Sequence, residues 1–498
     1  MLLIAGYALL TAAWLIGNPP FASPDESLHY VRALTVARGE LVGEPAEITG
    51  IPSDQAAWVN QAARAVVVPA GLSPDGYGCF FFQPEVPASC QDEVETAQTP
   101  REEVIANGTY QPSTYFVPGV FTFFGDDPEV ANRLGRVGSA LVSIGLLALA
   151  TFMLWRTDRN GAALIGLAVA ITPMVIFVSS VLTPSGPEIA ASIALVVALL
   201  HLHDTPPRMV WVSLGLSGAI LVLSRSLGPL WLALYGLVFL LWYGPRRLRE
   251  LGREPKVWVP PLTAIGLAAV FNRWWEYRYG PDVEVAIESF DDVLAALAQV
   301  PEMVRQHIGV FGHLEVAIPR LAYLTWHLML GALVLLAMVV ATRRQRWAMS
   351  TIIVFAIAAP VLLDSAVLVH TGFGVQGRHV LAMGVGVPLM CGHALFANRT
   401  RLLGVWSRRP LLWFALPTSL VHFVGWYANA RRNAVGSEGP LFFIGDAPWA
   451  PPLGWWPWLI LAALGSVAIL LAGYLARDEV GGSPETPEPD DSGPDGPK

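Results

Sequence analysis

Residues 135–155 read GRVGSALVSIGLLALATFMLW, and after Arg136 the stretch carries no charge to its end. A helix needs about 20 apolar residues to cross a hydrocarbon core, and this run supplies them. Working outward, similar runs bounded by charge or by Pro and Gly recur near 1–17, 161–181, 186–203, 208–224, 227–243, 257–272, 320–341, 347–369, 380–397, 411–428 and 455–476. The expected architecture is an all-α polytopic membrane protein with about twelve transmembrane helices. Pro173, Pro260, Pro261 and Pro360 should kink those helices or mark their ends. Composition agrees: 54% of the 498 residues are hydrophobic and 14% charged, against roughly 25% charge in a soluble domain. Soluble, fibrous and disulfide-scaffold classes are thereby excluded, and no basic region suits nucleic acid.

Sidedness follows from the Arg bias of short loops. Arg156 and Arg159, PRRLRELGREPK (245–256), TRRQR (342–346) and NRTRLLGVWSRRP (398–410) read as cytoplasmic. Twelve spans then put both termini in the cytoplasm. The expected organisation is a first helix (1–17), a partly helical extracytoplasmic subdomain (18–134), helices two to seven (135–272), a second outer loop (273–319), helices eight to twelve (320–476) and a disordered acidic cytoplasmic tail (477–498). A shorter segment, 429–454, also lies outside. Seven of the acids follow Leu475, in a tail too polar and Pro/Gly-rich to bury a core. Segment 18–134 is itself acidic, with sixteen Asp and Glu.

Several polar groups gather at the outer ends of the spans. In PPFASPDESLHYVRA, Ser23, Pro24 and Glu26 fit a capping box, which by itself accounts for Glu26. Asp25, His29 and Arg32 are spaced i, i+4, i+7 and share one helix face; the alternative is a solvated polar face. Tyr110, Gln111 and Tyr115 lie in NGTYQPSTYFVPG (107–119), read either as membrane-belt anchors or as a sugar-binding or head-group platform. Asn107-Gly-Thr109 also fits a glycan acceptor. Ser185 and Glu188, Arg225, Glu315, and Gln376, Arg378 and His379 stand where an apolar helix could have ended without them. Arg225 and Arg378 are outside exceptions to the Arg bias, suited to a phosphate through a bidentate fork, or to snorkelling onto lipid phosphate. The spans hold few central ionisable groups, which weighs against an ion-coupled transporter. Cys79 and Cys90 close the loop CFFFQPEVPASC in an oxidising compartment, as a disulfide or as two thiols. Cys391 falls in a span and reads as packing.

Five stretches, PDESLHYVRA (24–33), YQPSTY (110–115), TPMVIFVSSVLTPSGPEIAAS (172–192), IGVFGHLEVAIP (308–319) and VQGRH (375–379), in that order, resemble a family of predicted bacterial membrane proteins, domain of unknown function 2142. The resemblance runs from about Pro19 to about Leu381. Three positions depart from it: His313 and Glu315 stand where tryptophan and aspartate are expected, and His379 where tyrosine is usual. That family is similar to the C-type glycosyltransferases, which take sugars from polyprenyl-phosphate carriers and bear an acidic pair in their first outer loop. The resemblance implies that Asp25 and Glu26 fill that pair, Asp25 as base or metal ligand and Glu26 as its partner. His29 and Arg32 would orient them, with Arg225 and Arg378 on the donor phosphate. It also implies a lipid-linked sugar donor, a glycan or lipid acceptor, and a cell-envelope pathway. A divalent cation, Mg or Mn, on Asp25 and Glu26 is compatible with oxygen ligands. The competing readings are a transporter or flippase of a lipid-linked saccharide, which needs a polar path through the bundle, and a non-catalytic assembly partner, which needs no convergence of these residues.

Overall fold

The computed structural model describes residues 1–51, 53–91, 94, 97–158, 160–202, 206–282, 286–371, 374–402 and 406–478. Arg159 and the tail from 479 onward lie outside the described residues. The helices run in chain order: α1 Leu2–Gly17, α2 Glu26–Ala37, α3 Ser53–Ala62, α4 Ser113–Phe121, α5 Pro128–Asp158, α6 Ile165–Ala170, α7 Pro173–Ser179, α8 Ser185–Leu200 and α9 Arg208–Ser224. They continue with α10 Gly228–Leu251, α11 Pro255–Tyr279, α12 Phe290–Gly309, α13 Arg320–Val340, α14 Arg343–Thr371, α15 Gly377–Gly384, α16 Gly386–Ala397, α17 Leu412–Val435 and α18 Trp455–Leu475. Each of the twelve apolar runs falls on one of these helices or on a consecutive pair.

Length and composition qualify fewer of them as spans. Among the described residues, six helical stretches are long and apolar enough to cross a bilayer alone, including α5, α13, α14, the joined α15–α16 and α18. The run at 161–181 is broken: α6 and α7 meet at 72°. Thr172 causes the break by capping α7, its Oγ1 accepting from the Val175 N–H, with Pro173 at the first helical position. α1, α8 and α9 are apolar but shorter than a full span. α13 leaves Leu321, Leu324, Leu328, Leu335 and Val339 exposed along its length, a surface suited to lipid and not to water.

The segment between α1 and α5 is a small mixed subdomain. Strands β1 Glu44–Pro45, β2 Arg64–Val68 and β3 Arg101–Ile105 form an antiparallel sheet in that order. α2 packs on this sheet and on α4, around a satellite core of Phe21, Tyr30, Leu34, Val66, Ile105 and Tyr115. α4 approaches α2 closely because residue 119 is glycine: a Cβ there would stand 2.2 Å from the Ala33 carbonyl oxygen. Cys79 and Cys90 are joined as a disulfide. Cys391 is a buried free thiol within α16.

Two expectations fail here. Only half of the capping box forms at Ser23: Glu26 Oε2 accepts the Ser23 N–H at 3.3 Å, but α2 begins at Glu26, its cap Asp25 has left-handed φ of 61°, and the Ser23 hydroxyl has no partner. A capping box forms instead at Ser289 and Asp292, opening α12, a helix the apolar pattern does not reveal. Asp478, expected in the disordered tail, is instead held in the fold. Asp478 is buried, accepting from Asn160 Nδ2 at 2.8 Å and Trp406 Nε1 at 2.7 Å, and pairing with Arg399 at 3.1 Å.

Candidate functional site

Residues from five distant parts of the chain meet where α2, α4, α9, α10 and α15 end together. The Asp25 side chain is 54% exposed, yet it pairs at 2.7 Å with Arg378, which is almost wholly buried. Arg378 also donates to the Pro24 carbonyl at 3.1 Å, so one guanidinium clamps both the backbone and the carboxylate of this turn. Burial pushes the Asp25 carboxyl up, and the Arg378 and Arg225 guanidinium groups more than offset it, holding it below its ordinary value. A non-glycine residue in the left-handed region is uncommon, and such strain concentrates at functional sites.

α15 can present Arg378 because Gly377 lets α12 in close. A Cβ at 377 would fall 2.6 Å from the Gln306 Cβ and from the Met303 carbonyl oxygen. The Gly377 N–H meanwhile donates to Gln306 Oε1 at 2.6 Å.

His29, one turn beyond Asp25, is buried against the outer subdomain. Its Nδ1 lies 2.8 Å from Tyr115 Oη and 3.0 Å from Asn107 Nδ2. Desolvation pushes its pKa down to about 3, despite the opposing pull of Asp25, so the imidazole is neutral at pH 7. Asn107 is buried in this contact, which rules it out as a glycan acceptor. Tyr115 is also buried and is no membrane-belt anchor.

Arg225 occupies the turn between α9 and α10, extended at φ −150°. It donates to Ser185 Oγ at 2.9 Å. Burial works against its charge, but Glu188, Tyr110, Tyr115 and Asp25 outweigh it and its pKa is raised. Glu188 stands behind it, wholly buried, accepting from Trp231 Nε1 at 3.2 Å. Thr114 Oγ1 donates to the Ser224 carbonyl at 3.2 Å and Trp275 Nε1 to the Thr109 carbonyl at 2.7 Å, tying the 107–115 loop to α9 and α11. These ties enclose a cavity of about 190 Å³ whose walls include Trp58, Tyr110, Gln111, Arg225, Glu276 and His379.

The remaining expected site residues take other roles. Glu26 does not face the cavity: both its oxygens are buried on Arg136, at 2.7 Å each, and Oε1 also accepts the Leu182 N–H at 2.9 Å. Arg32 is fully buried and donates to the Tyr110 carbonyl, 3.1 Å from Nε, so it shapes the loop and does not reach a ligand. Glu315 pairs with Arg432 at 3.0 Å and lines a separate apolar groove. Its motif is a tight hairpin, β4 Val310–Phe311 and β5 Val316–Ala317. Gln376 caps α15 through its backbone, with a buried side-chain oxygen that has no partner. A divalent cation shared by Asp25 and Glu26 does not fit, because Glu26 is saturated and Arg378 occupies Asp25. Among the described residues, no three His, Cys, Asp or Glu gather as a metal site.

Sequence reasoning missed Arg136, Asn107, Trp58, Glu276 and Arg432. Arg136 carried a usable signal, a charge one residue inside an otherwise apolar span, which calls for a buried partner. Asn107 was visible only as part of a glycan-acceptor pattern, and Trp58, Glu276 and Arg432 have no local signature.

A bundle of apolar helices with a charged pocket at one end defines a polytopic membrane protein. The chain belongs to the family described as "Predicted membrane protein (DUF2142)", which matches residues 8–387. No curated protein matches the sequence. Among solved structures it is similar to ArnT from Cupriavidus metallidurans bound to undecaprenyl phosphate, at 13% identity and a TM-score of 0.41, over 94% of this chain and 76% of that one. The apo state of the same protein gives 14% identity and a TM-score of 0.37, over 90% and 76%.

Proposed function

We propose that this protein is a glycosyltransferase moving a sugar from a polyprenyl-phosphate donor to a glycan or lipid acceptor, on the extracytoplasmic face of a bacterial inner membrane, in cell-envelope assembly. The observation that carries the reading is the Asp25 carboxylate, accessible yet fixed by Arg378, beside the cationic Arg225 and an adjoining polar cavity. Glycosyl transfer needs these two functions together. As the acceptor oxygen bonds to the anomeric carbon, Asp25 takes its proton. As the bond from that carbon to the phosphate oxygen breaks, Arg225 and Arg378 receive the charge on the leaving phosphate. A carboxylate paired with arginine is a weak base, but the acceptor hydroxyl becomes acidic as its bond forms.

The site's place in the fold supports the sidedness. It sits where α9 ends and α10 begins, whereas the Arg-dense stretch 245–256 lies at the opposite end of α10. By the charge bias of membrane loops that opposite end is cytoplasmic, with both termini on the same side and about twelve crossings in all.

The test is sugar transfer by purified protein in lipid nanodiscs, supplied with a polyprenyl-phosphate monosaccharide and a glycan acceptor. Asp25→Asn keeps the shape and tolerates the left-handed backbone, and it is expected to lower the rate by about 10²–10⁴-fold. Full activity of that variant overturns the assignment.

A further inference from the structure

We infer that the end of the bundle opposite Asp25 holds a binding site for an anionic phospholipid, formed by Ser407, Arg408, Arg409, Leu412, Trp413 and Arg477. The site is independent of the chemistry proposed at Asp25.

The first observation is a group of cations without counter-charge. α17 begins here at Leu412, and its other end carries Arg432, which donates to the Phe80 carbonyl of the outer subdomain at 2.7 Å. Gly473 lets the last turn of α18 meet the start of α17: a Cβ there would stand 2.5 Å from the Ala415 Cβ and 3.0 Å from the Leu412 Cα. Just past α18 the Asp478 N–H donates to the Arg408 carbonyl at 3.0 Å, while the Asp478 carboxylate is turned inward to Asn160, Trp406 and Arg399. The chain is thereby fixed with Arg477 beside Arg408 and Arg409, around one surface cavity. Among the described residues, none of these three guanidinium groups pairs with a carboxylate; Arg409 lies over the Tyr474 ring at 4.0 Å. Like charges held together repel one another, which favours an anion between them.

The second observation selects the kind of anion. Leu412 and Trp413 wall the same cavity, and Trp413 is 72% exposed. Exposed apolar residues continue along both helices, Leu416 and Leu420 on α17 and Leu471 and Leu475 on α18. A tryptophan beside arginines, where such a surface ends, marks the level of lipid head groups. A phospholipid meets both walls at once, its phosphodiester on the guanidinium forks and an acyl chain along Trp413. Ser407 Oγ accepts the Arg409 N–H at 3.1 Å, which leaves its hydroxyl proton for a phosphate oxygen. A free phosphate leaves the apolar wall bare. The six acids that follow Asp478 in the chain supply charge, but Val480 is the one aliphatic residue beyond it. A zwitterionic lipid brings an ammonium group that the arginines repel, whereas phosphatidylglycerol brings none.

The experiment is photo-crosslinking of the full-length protein in phosphatidylcholine nanodiscs containing a trace of lipid with a diazirine in its acyl chain. The probe is either phosphatidylglycerol or phosphatidylcholine, and labelled residues are located by peptide mass spectrometry. Labelling at residues 407–413 and 471–477 is expected to be about 10-fold stronger with the phosphatidylglycerol probe. Arg408→Gln combined with Arg477→Gln is expected to cut that preference about 5-fold. Both side chains are exposed, so the variant should unfold at the wild-type temperature and lost labelling is not lost fold. Arg246→Gln combined with Arg249→Gln removes as much charge from the same end of the bundle and is expected to leave the preference unchanged. Excess unlabelled phosphatidylglycerol is expected to abolish the labelling, and excess glycerol phosphate to leave it. Equal labelling by the two probes overturns the inference. So does an equal loss in both variants, which means diffuse attraction to charge, and so does displacement by glycerol phosphate, which makes the ligand a soluble anion. A strong rise in labelling when the six acids after Asp478 become Asn and Gln makes the tail the occupant and also overturns it.

Discussion

Replacing Glu26 by Leu removes a carboxylate that accepts four hydrogen bonds inside the protein. Two come from Arg136 at 2.7 Å each, one from the Leu182 N–H at 2.9 Å and one from the Ser23 N–H at 3.3 Å. Both side chains of the ion pair have no exposure at all. After the substitution Arg136 keeps the carbonyls of Leu15, Asn18 and Pro19 but loses its counter-charge. Removing one member of a buried pair costs about 3–5 kcal/mol, and the orphaned Leu182 N–H adds to that. Against a total stability of about 5–15 kcal/mol, this is a large part of the margin. Arg136→Met is expected to cost a similar amount, since it strands the carboxylate and leaves three carbonyls without a donor. The double variant removes both charges, so its cost should fall short of the sum by about 1–3 kcal/mol. Urea unfolding of the four proteins in one detergent measures the cycle. Single variants within about 1 kcal/mol of wild type, or a double variant that is simply additive, refute the structural role of Glu26. A Glu26→Gln protein of normal stability but without transfer would return this residue to the chemistry.

Three further predictions concern the same corner of the molecule. With His29 neutral down to about 3 and Asp25 ionised below its ordinary 3.8, neither group titrates between about pH 5 and 8. Neither Asp25 nor His29 is expected to place an inflection in the transfer rate across that window, and the part of the rate that depends on Asp25 falls only as the pH drops through its depressed value. Stability should decline as pH falls below 6.5, where the unfolded chain binds a proton at His29 that the folded chain refuses. A rate inflection near 6.5 that disappears in His29→Gln contradicts the neutral imidazole. Gly119→Leu should force α4 off α2, with a new Cβ 2.2 Å from the Ala33 oxygen, and destabilise the protein by about 1–3 kcal/mol. Unfolding indistinguishable from wild type would mean that the close approach is not needed.

The helices were legible because hydrophobicity is a local property. Every apolar run lands on helix, and even the break at 172–173 is written in Thr-Pro. The structure brings the expected residues Asp25, His29, Tyr110, Gln111, Arg225, Arg378 and His379 to one corner of the molecule; Arg225, Arg378 and His379 stand at the edges of apolar runs, and the others are polar residues of the first outer segment. What local sequence could not convey is which polar group spends its hydrogen bonds on whom. Glu26 and Asp25 are adjacent and chemically alike, yet the left-handed turn between Pro24 and Glu26 sends one inward to Arg136 and the other out to Arg378. Arg32 keeps its helical spacing from Asp25 but meets the Tyr110 carbonyl before it can meet a ligand. The small sheet and α12 escaped because their burial is partial and their apolar pattern interrupted by charge.

The pairing of Asp25 with Arg378 fixes an order in biosynthesis. A chain is made and inserted from its N-terminus, so Asp25 leaves the ribosome 353 residues ahead of the arginine that clamps it. Glu26 finds Arg136 after only 110 residues, so the outer subdomain can be anchored to α5 early. Until α15 enters the bundle, the turn at Asp25 is held from one side alone and the carboxylate has no fixed cationic neighbour. A nascent or truncated chain therefore carries an anchored outer subdomain with an unfinished site, and the reactive arrangement is completed only when about three-quarters of the protein has been built.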